Sequence, residues 1–142
     1  MEDAVTEEVA SKQVPLVAYL VLADGDTHLV GQACDHCGAV FLGRRNACAH
    51  CGERAFSERR LASTGKVTSF TIVNRAAPGV PVPFVSAVVE LDDGASVLAN
   101  IVDVEADPEH VRLGMPVRLT SYVAGTDDNG TEAVAFGFLP AD

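Results

Sequence analysis

The chain has no tryptophan and few other aromatics, two tyrosines and six phenylalanines in 142 residues. It is equally short of positive charge. Ten lysines and arginines face 20 acids, a net charge of −10, which argues against unaided binding to a phosphate backbone or to anionic lipid. A positively charged leader is missing too: the opening MEDAVTEEVASK is acidic, whereas a secretory signal sets positive charge before its apolar stretch. The longest strongly apolar run, Val14 to Leu22, is nine residues with a proline inside, too short to cross a bilayer. The expectation is a soluble cytoplasmic protein that binds neither membrane nor nucleic acid.

Catalytic signatures are absent as well. There is no G-x-S-x-G elbow, no P-loop and no dinucleotide fingerprint. His28 and His110 have no neighbouring Asp, Ser or second His at a spacing that signals catalysis. The pairs Asp92-Asp93 and Asp127-Asp128 sit beside glycine or asparagine, and read as solvated turn carboxylates rather than a general acid and base. No catalytic residue is assigned, and covalent chemistry by this chain alone is not expected.

A hydrophobic fraction of 48% is enough for a genuine core, in one ordinary domain or a small module leaning on a larger one. From Leu16 to Gln32, two β-prone runs flank an Asp24-Gly25 turn and read as a hairpin that delivers the chain into Cys34. Residues 53 to 64 form a charged connector with no strong period. Beyond Gly65 the pattern turns to β: KVTSFTIV at 66–73, FVSAVVELD at 84–92, ASVLANIVDV at 95–104, MPVRLTSYV at 115–123 and EAVAFGF at 132–138. Asp107-Pro108-Glu109 opens a single helical turn, Asp107 as cap and Pro108 at the first position, and Gly114 ends it. Five strands with a short helix between the third and fourth match an OB-fold barrel. The expected fold is mainly β: an N-terminal segment over 1–28, a cysteine-bearing ribbon and connector over 29–64, and a five-stranded OB-fold over 65–142.

All four cysteines lie in one pattern, C-x2-C-x10-C-x2-C, written CDHCGAVFLGRRNACAHCG. Two close pairs bring Cys34, Cys37, Cys48 and Cys51 to tetrahedral positions around a soft divalent ion. Gly38 and Gly52 follow the pairs directly, and a left-handed glycine there lets backbone N–H groups turn toward the sulfurs. Two disulfides, four unpaired thiols and rubredoxin-type iron are the alternatives, and a reducing cytoplasm disfavours disulfides. Four thiolates leave no open coordination position, so the expected zinc is structural. His36 and His50 sit inside the knuckles and read as exposed residues.

Charge is unevenly spread. Residues 44 to 66 hold six cations against two acids, a local balance of +4 that leaves −14 for the rest. Such an island suits a compact polyanion better than a long nucleic acid, the alternative being arginines that simply face water.

The knuckles CDHCG and CAHCG, the FLGRR between them, then GKVTSFTIV, PFVSAVVELDDG and RLGMPVRL resemble domain of unknown function family 35, a zinc ribbon joined to an OB-fold. The resemblance runs from about Leu29 to Phe138. It implies a small non-catalytic partner of thiolase-like enzymes, in a hetero-oligomer that encloses coenzyme A or an acyl-CoA. Family settings include acyl-CoA condensation or thiolysis, and carbon–carbon cleavage in steroid side-chain or aromatic acid degradation. Where the family has Pro-Pro-Arg between its knuckles, this chain has Gly43-Arg44-Arg45; the family's aromatic after the second knuckle falls on Phe56. Arginine matches phosphate oxygens with a planar fork of donors, so the resemblance makes Arg44, Arg45, Arg59, Arg60 and Lys66 candidate contacts to the phosphates of coenzyme A. The loop Asn74 to Pro83, with three prolines, two alanines and two valines, is stiff and largely apolar, and is either a partner contact or a plain barrel connection.

Two other functions compete. A ribbon with an OB barrel can bind single-stranded nucleic acid, but this needs aromatics on one face over a basic groove. Phe70, Phe84, Tyr122, Phe136 and Phe138 instead lie in apolar strand segments where core positions explain them. An electron carrier with iron at the four sulfurs is the other.

Overall fold

The computed structural model describes residues 12–23 and 26–141. Among the described residues ten strands follow one another: β1 (Gln13–Pro15), β2 (Leu20–Val21), β3 (His28–Cys34), β4 (Val40–Leu42), β5 (Phe56–Arg60), β6 (Thr64–Val73), β7 (Phe84–Leu91), β8 (Ser96–Ile101), β9 (Pro116–Thr126) and β10 (Glu132–Pro140). The last five match the expected barrel strands to within three residues at each end.

Alternation drives barrel closure. Val85, Ala87, Val89 and Leu91 of β7 point inward with Val67, Val97, Val117, Val134 and Phe138 from the other strands, all buried, while their neighbours face out. The ladders run β6-β7-β8-β10-β9, and β9 returns to β6 through Thr64↔Arg118, Gly65↔Val117 and Lys66↔Pro116. Only the β8–β10 contact within the barrel is parallel. This is the closed five-stranded OB topology. At Gly65, a Cβ would meet the Glu90 carbonyl oxygen at 2.4 Å and the Leu91 Cα at 2.9 Å, so the strands approach there more closely than any side chain allows.

The expected short helix of a single turn between β8 and β9 is present as a hydrogen-bonded turn, and no helix occurs among the described residues. Its cap is in place. The Asp107 carboxylate accepts from the Glu109 and His110 N–H groups, each at 3.0 Å, and the Val111 N–H reaches the Asp107 carbonyl at 3.3 Å. The chain then turns back into β9 through the Arg112–Met115 bond before another turn can form.

The hairpin strands pair antiparallel through Leu20↔Leu29 and Val21↔His28; the Asp24-Gly25 turn between them, like the lead over 1–11, lies outside the described residues. β3 continues as the centre of the ribbon, flanked by β4 and β5. β1 lies parallel along β10, Gln13↔Glu132 to Pro15↔Val134, so the N-terminal segment runs beside the final barrel strand.

Ribbon and barrel share one core. Leu20, Leu29 and Leu61 from the ribbon side are at most 3% exposed and belong to the same cluster as the barrel interior, with Val40 and Leu42 packed on its edge. The joint is also polar. Asp93, in the β7–β8 turn, accepts from the Ala62 N–H at 2.8 Å, and Asp92 bonds the Thr64 hydroxyl. The pair does lie in a turn, with Asp92 exposed, and in addition it ties the connector to the barrel. Asp127 keeps a local turn role, accepting from the N–H groups of Asn129 and Thr131.

Candidate metal centre

The first knuckle grows out of the end of β3 and the second out of the loop that returns to β5, so two backbone turns face each other. Their four Sγ atoms all lie within 4.8 Å of one another. Cys34 to Cys51 and Cys37 to Cys48 are each 3.6 Å. Zinc–sulfur bonds of about 2.3 Å in a tetrahedron place sulfurs about 3.8 Å apart, so the cluster is of the right size for such an ion. A disulfide needs about 2.05 Å, and all four cysteines are free, which removes the disulfide alternative. His36 and His50 are exposed and stand outside the cluster.

The glycines turn the backbone as expected, and the residues after them supply the N–H groups. Gly38 and Gly52 do take φ of +82° and +85°, but their own N–H groups return to the carbonyls of Cys34 and Cys48, at 2.9 and 2.8 Å. The residues just after them, Ala39 and Glu53, direct N–H groups at the sulfurs of Cys37 and Cys51. Cys48 receives N–H groups from Cys51 and from His50, the latter at 3.4 Å. Desolvation opposes the Cys48 charge, but these donors and the adjoining thiols outweigh it and bring the group down to about 6. At Cys51 the Glu53 N–H favours the thiolate, yet desolvation and the three other sulfurs push it up to about 12. Four thiolates this close would repel one another without a cation; a divalent ion at their centre resolves the conflict.

The candidate phosphate contacts do not form one cradle. Arg44 and Arg45 are exposed in the loop after β4, and Arg45 lies over the Phe41 ring at 5.1 Å. Phe41 meets Phe56 edge to face at 6.3 Å, so the aromatic after the second knuckle supports the ribbon from within. Arg59 and Arg60 are consecutive on β5 and therefore point to opposite faces. Arg60 is engaged by Asp26 in a two-pronged ion pair, at 2.9 and 2.5 Å, which holds the Asp26 carboxyl below its ordinary value. Both Arg59 and Arg60 line a hollow of about 460 Å3, and Asp92 and Asp93 line it with them. Lys66 stands opposite Glu90 in the β6–β7 ladder.

Sequence reasoning missed β5. Its residues FSERR alternate poorly because four of the five are exposed, and backbone pairing to β3 holds the strand in place. The aromatic residues also divide differently. Phe138 is fully buried, but Phe70, Phe84 and Phe136 are half-buried and Tyr122 is 36% exposed. None of this makes a stacking platform on β7 and β8, the face through which OB barrels take oligonucleotides. Ser86, Val88, Glu90, Ser96, Leu98 and Asn100 stand there, with Phe84 at one end and no lysine or arginine on either strand. No helix among the described residues is long and apolar enough to cross a membrane.

Residues 24–57 match the rubredoxin-like zinc ribbon domain of ChsH2, and residues 58–121 match its C-terminal OB-fold domain. A DUF35 domain-containing scaffold protein of Methanocaldococcus jannaschii is 32% identical over 118 residues, 80% of this chain and 82% of the relative. The 3-oxo-4,17-pregnadiene-20-carboxyl-CoA hydratase alpha subunit of Mycobacterium tuberculosis is 46% identical over 63 residues, 42% of this chain but 20% of that longer subunit. Among solved structures, a chain of the Ltp2-ChsH2(DUF35) aldolase superposes with a TM-score of 0.65 at 30% identity, covering 81% of this chain and 86% of its own.

Proposed function

The chain belongs to the DUF35 family of ChsH2-type zinc-ribbon and OB-fold proteins, and on that premise we propose that it is a non-catalytic subunit of a thiolase-superfamily enzyme. The observation that carries the proposal is the likeness to a chain of the Ltp2-ChsH2 aldolase, which spans ribbon and barrel together rather than the ribbon alone. The absence of catalytic signatures in the sequence agrees with it. In this reading the metal at Cys34, Cys37, Cys48 and Cys51 is zinc, and with four sulfur ligands it holds the knuckles and activates no water.

The finer reading is that chain and partner share an acyl-CoA during carbon–carbon bond cleavage or formation in the cytoplasm, on substrates such as steroid side chains or aromatic acids. Arg44, Arg45, Arg59, Arg60 and Lys66 are the proposed phosphate contacts. Because Arg60 is engaged by Asp26, Arg44 and Arg45 lie in the loop after β4 and Lys66 stands on β6, no single phosphate meets all five, and the partner supplies the remaining wall.

Co-expression with a thiolase-like protein, sought among the products of neighbouring genes, tests the reading. A stable complex is expected, with activity on an acyl-CoA that neither chain shows alone. Failure to co-purify, or turnover of a thioester by the isolated chain at ordinary enzymatic rates, overturns it. Metal analysis tests the site separately: a colourless preparation with one zinc per chain is expected, and a red one with a visible absorption band assigns iron instead.

A further inference from the structure

Where the start of β7 meets the segment after β8, a cleft of about 500 Å3 opens on the barrel surface, far along the chain from the knuckles. Its floor is apolar, with Phe84, Val102 and Val104; its rim carries three carboxylates, Asp103, Glu105 and Asp107, and its lining includes no lysine or arginine. Asp107 is committed to the turn: its carboxylate accepts from two backbone N–H groups and meets the His110 ring at 2.7 Å. The other two are uncommitted. Asp103 and Glu105 are exposed, and neither carboxylate has a hydrogen-bond or ion-pair partner among the described residues. The local field is negative, since Asp107, Glu105 and Glu109 together raise the affinity of His110 for its proton.

The cleft continues into the stiff loop before β7. Pro83 lines it, and the loop's valines Val80 and Val82 are 45% and 43% exposed, an apolar ridge beside an acidic hollow. An anion is repelled by this rim. A bare metal ion would find exposed, solvated carboxylates and leave the floor unused. What fits both parts is a long cationic side chain, its alkyl stem on Phe84 and Val104 and its head at Asp103 and Glu105, with apolar neighbours resting on the ridge.

We propose that this cleft and ridge dock a protein segment carrying an arginine or lysine between apolar residues, and that the segment belongs to the partner enzyme. The second half of the statement rests on the accessory-subunit reading; the first stands on the cleft itself. Complementary charge at such a rim sets specificity and association rate, and the desolvated apolar floor supplies much of the affinity.

Two experiments on the full zinc-loaded chain separate the parts. In the first, backbone amide NMR follows titration with a capped peptide Ala-Leu-Arg-Leu-Ala and with its citrulline counterpart, equal in shape but uncharged. Shifts are expected at residues 80–84 and 102–107 with the arginine peptide, weakening as salt is added and falling roughly tenfold in affinity in the paired variant Asp103→Asn, Glu105→Gln. Asparagine suits position 103 because that residue has φ of +56°, which asparagine tolerates. No shifts at the cleft, or equal shifts with citrulline, overturn the proposal.

In the second, wild type and the paired variant are each co-expressed with the thiolase-like enzyme, and complex stability is compared. A roughly tenfold weaker complex in the variant is expected. Equal assembly refutes docking at this cleft and leaves the accessory reading standing. Failure of the wild type to assemble, with the peptide still bound at the cleft, refutes the accessory reading and supports the cleft's chemistry.

Discussion

Leu61 is the residue through which the unity of ribbon and barrel can be measured. It is 3% exposed, its N–H bonds the Leu29 carbonyl at 2.9 Å, and its side chain presses so closely on β3 that a Cβ at Gly31 would come within 2.9 Å of it. Leu61→Ala removes a buried isobutyl group at the seam, a transfer loss of about 2 kcal/mol. The cavity left behind raises the cost to about 3 kcal/mol, because backbone pairing on both sides limits collapse. For a chain of this size that corresponds to a fall of roughly 10 °C in the midpoint. Urea unfolding should be followed with two probes: thiol reactivity for the ribbon, and far-ultraviolet circular dichroism, dominated by the barrel. Both curves should coincide in the wild-type protein and move together in the variant. If thiol exposure precedes barrel melting, or if the substitution shifts one curve only, the ribbon is an independent module and the shared core is not an energetic unit.

The other predictions concern charge and metal. Asp93→Ala, which leaves the Ala62 N–H without its acceptor at the same seam, should destabilise the chain by about 1 kcal/mol or more, and an unchanged urea midpoint would refute its role as a tie. Zinc binding should release fewer than four protons at neutral pH, because Cys48 sits at about 6 and is already ionised while Cys51, at about 12, is not. Calorimetry in two buffers of different ionisation heat measures this, and affinity should fall as pH falls; release of all four protons, or of none, would contradict the spread of thiol affinities. The Asp107–His110 pair raises His110 above its ordinary 6.5 and lowers Asp107 below 3.8. Its contribution to the turn is therefore present between those two displaced values, fading as pH rises through that of His110 and as it falls through that of Asp107. NMR titration should find His110 elevated and Asp107→Asn returning it toward 6.5, whereas no change would mean that the carboxylate does not face the ring in solution.

Local chemistry was the legible part. The cysteine spacing foretold a four-sulfur cluster because each knuckle is closed by residues four apart in the chain, Gly38 to Cys34 and Gly52 to Cys48. The barrel strands were legible because alternating valines and alanines must all turn one way to be buried. β5 was not, since a strand exposed on both faces carries no such alternation. The single turn before β9 was legible as well: Asp107 and Pro108 start it, but whether it propagates depends on where β9 must begin.

What the sequence by itself determined is therefore the metal-binding pattern, the inward face of each barrel strand and the turns between them, all consequences of neighbours within a few residues. Tertiary structure alone decided the rest: that Gln13–Pro15 lies along β10 from the far end of the chain, that Leu20, Leu29 and Leu61 join the barrel core, that Asp93 ties the connector, and that Asp103 and Glu105 stand free over an apolar floor. Each of these depends on groups far apart in the chain being brought together by burial, and no local propensity encodes which distant partner a strand edge or a carboxylate will meet.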